Sequence, residues 1–106
     1  MDITTAEDLM RSRFAAFKRG DSQWLYNTWH PTTRPELVDL EDNPTWRGLQ
    51  IIETVDGGAG DDTGIVEFRA TYLEPEGGIG VLHERSRFVR EDGAWYYLDA
   101  IETAGA

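Results

Sequence analysis

Ionisable side chains are concentrated in one short run of this sequence, HERSR at residues 83–87, between the apolar residues Leu82 and Phe88. Imidazole, carboxylate and hydroxyl groups are the side chains that proteins use to move protons and to orient polar ligands. The run is therefore the first candidate for a functional site. It matches no motif that dictates a reaction, so these residues alone leave the reaction class open.

A predicted β-hairpin over Val81–Asp99 places this run, with a turn at Glu91-Asp92-Gly93. As a three-residue turn with its glycine in the left-handed position, it pairs Arg90 with Ala94. A two-residue Asp-Gly turn would instead move the side chains of the second strand to the opposite face. We favour the three-residue turn because it groups the apolar residues and gives Arg85 a carboxylate partner, Asp99, across the pair.

Alternation along the strands then divides the hairpin into two faces. One face is predicted to join the core: Leu82, Glu84, Ser86, Phe88, Tyr96, Leu98 and Ala100. The outer face carries most of the charge and two aromatic rings: His83, Arg85, Arg87, Trp95, Tyr97 and Asp99. Glu84 and Ser86 are thus predicted to lie among apolar side chains.

The composition is typical of one globular domain, and residues 1–106 are too few for two separate cores. The absence of cysteine excludes disulfides, thiolate metal sites and cysteine nucleophiles. Twenty acidic residues against ten basic ones give a net charge of −10, which repels nucleic acids and anionic membranes. We therefore expect neither nucleic acid nor membrane as a partner.

Motifs for nicotinamide, flavin and pyridoxal cofactors are absent, so no cofactor is predicted. Two histidines and scattered carboxylates give no positive indication of a metal site. No apolar run is long enough to span a bilayer, and the first ten residues lack the basic and apolar parts of a signal peptide. The expected location is the cytoplasm.

Helices are predicted before the strands. Thr4 and Glu7 fit a capping box for a first helix over residues 5–19, and Arg11 and Arg13 are expected to lie in solvent. The apolar stripe of this helix consists of Ala6, Leu9, Met10, Phe14 and Phe17.

A second short helix is predicted to run through about Thr28 and to end at His30-Pro31. The His30 imidazole then lies at a helix C-terminus, either as a pocket group or as a cap. A capping box at Thr33 predicts a third short helix over residues 34–40.

The β pattern begins at Trp46 and resumes over Gly64–Leu73, after a glycine-rich acidic loop at residues 56–62. The second of these strands has one apolar face, formed by Val66, Phe68, Ala70 and Tyr72. With the hairpin, the chain order is helices followed by a four-stranded antiparallel meander. This order predicts an α+β domain in which helices pack on one face of a curved sheet.

Four segments resemble the central domain of the YchJ family of bacterial proteins: LMRSRFAAFKRGD (9–21), TWHP (28–31), GIVEFRATY (64–72) and HERSRFVREDGAWYYLDA (83–100). The resemblance implies a nuclear-transport-factor-2-like (cystatin-like) fold, a cone whose N-terminal helices close a curved, mainly antiparallel sheet over a cavity. That superfamily includes isomerases, dehydratases, hydrolases and noncatalytic binding domains, so it implies a cavity and not a reaction. The cysteine-rich zinc-binding segments of many members have no counterpart in this sequence.

Within such a cone, the predicted binding residues are those whose side chains face the cavity or close its mouth: Trp29, His30, Trp46, Phe68, Tyr72, Glu84 and Ser86. The first hypothesis is that the cavity binds a small apolar or amphipathic molecule. A second is that the outer face, with Arg85, Arg87, Trp95, Tyr97 and Asp99, binds a protein partner or a second copy of the chain. A third is an acid/base enzyme in which Glu84 and His30 converge on a substrate.

Overall fold

The computed structural model describes residues 2–105. Two helices precede four strands in this range: α1 (Ala6–Arg19), α2 (Ser22–Asn27), β1 (Thr45–Asp56), β2 (Thr63–Leu73), β3 (Ile79–Glu91) and β4 (Ala94–Gly105). The strands form one antiparallel sheet in the order β1-β2-β3-β4, and α1 packs against it. The predicted α+β meander is confirmed. Neither helix has the length and apolar composition needed to cross a membrane.

The central strand β2 separates the core from the outer face as its sequence predicts. Val66, Phe68, Ala70 and Tyr72 are between 0% and 9% exposed. Val66, Phe68 and Ala70, with Phe88 of β3, pack with buried residues of α1 and form the core beneath that helix. Strict alternation of side chains along β2 is enough to produce this face.

Helix α1 begins one residue later than the predicted capping box implies. The N-cap is Thr5, whose hydroxyl accepts a hydrogen bond from the Asp8 backbone N–H at 3.0 Å, and the Asp8 carboxylate accepts one from the Thr4 backbone N–H at 3.1 Å. The predicted pairing of Thr4 with Glu7 is therefore wrong. The Thr4 N–H holds the pKa of Asp8 below its usual value. This reciprocal arrangement satisfies two backbone donors at the helix start.

Arg13 lies on the buried face of α1, which corrects the expectation that it is in solvent. Its residue surface is only 3% exposed, whereas Arg11 is in solvent as predicted, paired with Glu7 at 2.9 Å. Arg13 follows Leu9 and Met10 by four and three positions, so the helical repeat places it in the centre of the stripe. A charged residue at such a position needs buried partners, which the structure supplies at the cavity described below.

The third predicted helix is not formed, and residues 34–40 run without regular structure. Leu37, the apolar residue at the centre of this segment, is 75% exposed. A short helix is marginal unless an apolar face packs against the rest of the protein, and Leu37 has no such packing. The flanks of the segment are anchored instead by side chains, with Thr33 donating to the Leu98 carbonyl and Asn43 to the Phe17 carbonyl.

The hairpin between β3 and β4 turns on two residues, not three. Glu91 pairs with Ala94, and Asp92 and Gly93 both have positive φ, 52° and 81°. Two consecutive left-handed residues are the requirement of a type I′ turn, whose twist matches that of the flanking strands. The predicted pairing of Arg90 with Ala94 is therefore wrong by one residue.

This register moves Trp95 and Tyr97 of β4 to the inner face, and it moves Tyr96, which was predicted there, to the other face, opposite Val89. Trp95 pairs opposite Arg90 and is 4% exposed, while Tyr97 pairs opposite the buried Phe88. An irregularity in the strand after Tyr97 returns Asp99 to the outer face. Burial of two large rings outweighs the cross-strand ion pair on which the predicted register was based.

Gly93→Ala is expected to destabilise the fold by about 1–2 kcal/mol, because an L-residue with a side chain is strained in the left-handed conformation. Urea denaturation followed by circular dichroism measures the change. Asp92→Asn is the matched control and should leave stability unchanged, since asparagine tolerates this conformation. Equal midpoints for Gly93→Ala and the wild type would contradict the two-residue turn.

Candidate functional site

A cavity of about 140 Å³, partly open to solvent, lies between α1 and the inner face of the sheet. Side chains from α1, the segment after α2 and all four strands form its wall: Met10, Arg13, Phe14, Phe17, Trp29, Trp46, Phe68, Ala70, Leu82, Glu84, Ser86 and Tyr97. Most of this wall is aromatic or aliphatic. The polar groups come from α1, β3 and β4.

Five residues predicted to bind a ligand line this cavity: Trp29, Trp46, Phe68, Glu84 and Ser86. The inner faces of β1, β2 and β3 place four of them, and Trp29 comes from the segment after α2. Their role in binding stays a prediction. The other two predicted residues, Tyr72 and His30, have different surroundings. Tyr72 packs edge-on against Trp46, with ring centroids 5.4 Å apart.

Trp46 organises the apolar part of the wall. Its ring packs edge-on against Phe14, with centroids 6.1 Å apart, and is tilted against Phe17 at 6.2 Å. The indole N–H donates to the Asn43 side chain at 2.9 Å, and Asn43 in turn donates to the Phe17 carbonyl at 2.8 Å. Edge-to-face aromatic packing with a fixed indole N–H holds this part of the cavity in one arrangement.

Glu84 and Tyr97 form the polar part of the wall. Ser86 donates to Glu84 Oε1 at 2.6 Å, and the Thr103 hydroxyl lies 3.5 Å from Oε2. Burial, assisted by the negative charge of Glu84, raises the pKa of Tyr97 well above its usual value. Tyr97 is therefore a neutral phenol at neutral pH.

Arg13 is the functional candidate that the sequence reasoning missed. Its Nη1 donates to the Leu25 carbonyl at 2.9 Å and to the Thr28 hydroxyl at 2.7 Å. The guanidinium carbon also lies 4.6 Å from the centre of the Tyr97 ring and 5.4 Å from that of Trp29. Burial lowers its pKa to about 10, so Arg13 is a cation at neutral pH. Its position four residues after the buried Leu9 is the sequence signal that could have revealed Arg13.

Two backbone hydrogen bonds to β4 hold Trp29 at the cavity. The His30 N–H donates to the Tyr97 carbonyl and the Tyr97 N–H donates to the Thr28 carbonyl, each at 2.8 Å. These hydrogen bonds hold the Trp29 ring edge-on to the Tyr97 ring, with the two ring centroids 5.2 Å apart. Within residues 2–105 the buried Trp29 Nε1 has no hydrogen-bond acceptor.

His30 is buried outside this wall, in a network with Thr32 and Glu91. Its Nε2 lies 2.9 Å from Glu91 Oε2, and its Nδ1 lies 2.7 Å from the Thr32 hydroxyl and 3.2 Å from the Thr32 backbone N. A backbone N–H can only donate, so Nδ1 is assigned as an acceptor and Nε2–H as the donor to Glu91. Glu84 and His30 therefore have separate surroundings, and the convergence that the enzyme hypothesis expects is not found.

The outer face of the sheet is covered by ion pairs. Arg85 pairs with Glu67 at 2.9 Å and with Glu53 at 3.2 Å, and Arg87 pairs with Asp99 at 2.6 Å. Arg85 was predicted to pair with Asp99, so that pairing is wrong. The side-chain hydrogen bonds and charges of these ion pairs raise the pKa of Arg85 and Arg87.

Two members of the predicted interaction face are not on this surface. Trp95 lies in the core and donates its indole N–H to the Thr4 carbonyl at 3.1 Å, and Tyr97 lines the cavity. Trp95 and Tyr97, the two aromatic anchors predicted for this face, are thus absent from it. Dimerisation through the charged residues that remain stays a prediction. Within residues 2–105 no group of three or more His, Asp or Glu side chains is placed to hold a metal ion.

Comparison with known proteins identifies the family. A sequence model described as YchJ, middle NTF2-like domain, matches residues 5–100. A UPF0225 protein of Streptomyces coelicolor is 55% identical over 95 residues, which are 90% of this chain and 73% of that protein. A UPF0225 protein of Streptomyces avermitilis is 49% identical over 98 residues, which are 92% of this chain and 66% of that protein.

The fold also matches a solved structure. The solution structure of a SEC-C motif containing protein from Rhodopseudomonas palustris superimposes with a TM-score of 0.78 and 29% identity, over 97% of this chain and 80% of that one. Together with the match to residues 5–100, this similarity shows that the chain belongs to the YchJ family and corresponds to its middle NTF2-like domain.

Proposed function

We propose that this domain binds one small amphipathic molecule in the cavity between α1 and the sheet. The observation that carries the proposal is the cavity itself, about 140 Å³ of space lined by aromatic and aliphatic side chains with a few polar groups. An apolar cavity of about 150 Å³ holds a benzene molecule, whereas drug-sized ligands need about 300 Å³ or more. The ligand is therefore one ring, or a branched chain of similar size, with a small polar group.

The distribution of groups along the wall supports an amphipathic ligand. Phe14, Phe17 and Trp46 provide apolar surface, while Arg13 and Glu84 provide opposite charges that cancel within the wall. Transfer of an apolar ring from water to such a surface is favourable, and the polar groups orient the ligand. Curvature of the sheet around this ligand, as in a cone, is part of the proposal.

Binding without catalysis is favoured over proton transfer by the surroundings of the two candidate residues. Glu84 is engaged by Ser86, and His30 by Glu91 and Thr32. A general acid or base must reach the proton that it transfers. His30 does not lie beside Glu84, so the two side chains do not form an acid/base pair. The cavity is thus better suited to orienting a bound ligand than to transferring a proton.

Titration with benzyl alcohol tests the proposal, using ¹⁵N-labelled protein and two-dimensional amide spectra. We expect saturable shifts at the amides of Phe68 and Ser86, with a dissociation constant on the order of 1 mM, equivalent to about 4 kcal/mol. Ala70→Leu should abolish the shifts, because Ala70 is 2% exposed and lines the cavity, so the larger side chain fills it.

Ala15→Leu provides the matched control, since it makes the same change on the exposed side of α1 and should leave the titration unchanged. Absence of saturable shifts in the wild type would refute the proposal. Equal binding by Ala70→Leu and the wild type would show that benzyl alcohol binds elsewhere, which would also refute it.

A further inference from the structure

The cavity wall contains hydrogen-bond donors that the protein leaves unused. A guanidinium has five N–H donors. The hydrogen bonds that Arg13 makes with residues 2–105 both come from Nη1, to Leu25 and Thr28. The donors on Nε and Nη2 therefore have no acceptor among these residues, although Arg13 is 97% buried and lines the cavity. Donors of a cavity-lining side chain that lack a protein acceptor gain free energy when a ligand or water accepts from them.

The acceptors of the same wall are already occupied. Glu84 accepts from Ser86 at 2.6 Å, and the Thr103 hydroxyl lies 3.5 Å from its other carboxylate oxygen. The carboxylate is thus engaged by hydroxyl groups, whereas one edge of the guanidinium is free. A ligand therefore gains more binding free energy from acceptors that contact Arg13 than from donors that contact Glu84.

We propose that the ligand is a small carboxylic acid, bound as its carboxylate to Nε and Nη2 of Arg13, with an aromatic or branched apolar body against Phe14, Phe17 and Phe68. The proposal rests on the proposed function, because it names the ligand class of the same cavity. Nε and Nη2 form a planar fork that matches the two oxygens of a carboxylate. No bond is made or broken, so binding alone is proposed.

Charge and size favour a monocarboxylate over other ligand classes. An organic cation would meet a fixed guanidinium whose charge already covers the Trp29 and Tyr97 rings. A dianionic phosphate would bring more negative charge beside Glu84 than Arg13 can balance. A single carboxylate pairs with the one cation, and its body replaces water at the apolar wall.

Benzoate and benzyl alcohol are the two probes, since they share a ring and differ in charge. In the wild type we expect benzoate to bind about tenfold more tightly, because its hydrogen bonds to Arg13 are charge-assisted. Arg13→Met should weaken benzoate binding at least about tenfold and change benzyl alcohol binding less than about threefold. Glu84→Gln should tighten benzoate binding by a few-fold, since it removes a nearby negative charge.

The Nε–H signal of Arg13 gives a readout that does not depend on a variant folding. It should shift when benzoate is added to the ¹⁵N-labelled wild type and shift less with benzyl alcohol. If benzyl alcohol binds in the cavity but benzoate does not, or if benzoate leaves the Arg13 signal unmoved, the ligand class is wrong and the proposed function stands. If neither probe binds, both proposals fail.

Discussion

Phe88→Ala is expected to lower the free energy of unfolding by about 3–5 kcal/mol, the usual range for removing a phenyl ring from a core. Phe88 is 1% exposed and belongs to the cluster that joins α1 to the sheet. Its ring also packs edge-on against Tyr97, with centroids 5.7 Å apart. The substitution therefore removes both buried area and the packing that holds Tyr97 beside Glu84.

Urea denaturation monitored by tryptophan fluorescence measures this change. Leu37→Ala is the control, because Leu37 is 75% exposed and its truncation should alter stability by less than about 0.5 kcal/mol. Phe88→Leu should retain most of the volume and lose about 1–2 kcal/mol. If Phe88→Ala cost no more than Leu37→Ala, the position of β3 against α1 would be incorrect.

Gly64→Ala is expected to cost about 3 kcal/mol, the upper part of the range for overpacked sites. A Cβ atom at Gly64 would lie 2.5 Å from Gly57 Cα, 2.9 Å from Gly57 N and 3.2 Å from Ala6 Cβ. The Gly57 backbone cannot move freely, because its carbonyl accepts from the Ala6 N–H and its N–H donates to the Thr63 carbonyl. The substitution would therefore push the start of α1 away from the sheet.

Gly60→Ala tests the same chemical change in the loop that precedes β2, where no atom lies within 4 Å of the added Cβ. We expect it to be neutral or slightly stabilising, since alanine reduces the entropy of the unfolded chain. Thermal denaturation of both variants separates the clash from a general effect of replacing glycine. Equal melting temperatures for the two variants would show that α1 does not approach β2 as closely as described.

The family relationship and the cavity lining differ in how readily sequence reasoning finds them. Segments such as TWHP and HERSRF predicted the YchJ family, and the comparison over residues 5–100 confirmed it. Glu84 and Ser86 were expected inside because β3 alternates regularly, and both line the cavity. Arg13 was missed because a charge was assumed to lie in solvent, although its spacing from Leu9 places it on the buried face.

The hydrogen-bond partner of His30 could not be predicted from the local sequence pattern. Its place after α2 was predicted from His30-Pro31, but its contact with Glu91 joins residues 61 positions apart. No local pattern specifies which distant carboxylate a histidine meets. Only the docking of the hairpin tip against the segment after α2 separates His30 from Glu84.

By itself the sequence determined the order of the helices and strands and the inner face of β2, because these depend on periodicity and on nearby turns. The tertiary structure decided the register of β4. A shift of one residue exchanges its two faces, and the sum of contacts made by Trp95 and Tyr97 with α1, Phe88 and Arg13 selects one register. Leu37 gains no such packing, and the third helix is absent. Long-range packing did give Arg13 its buried partners, so the cavity and its free donors exist only in the folded chain.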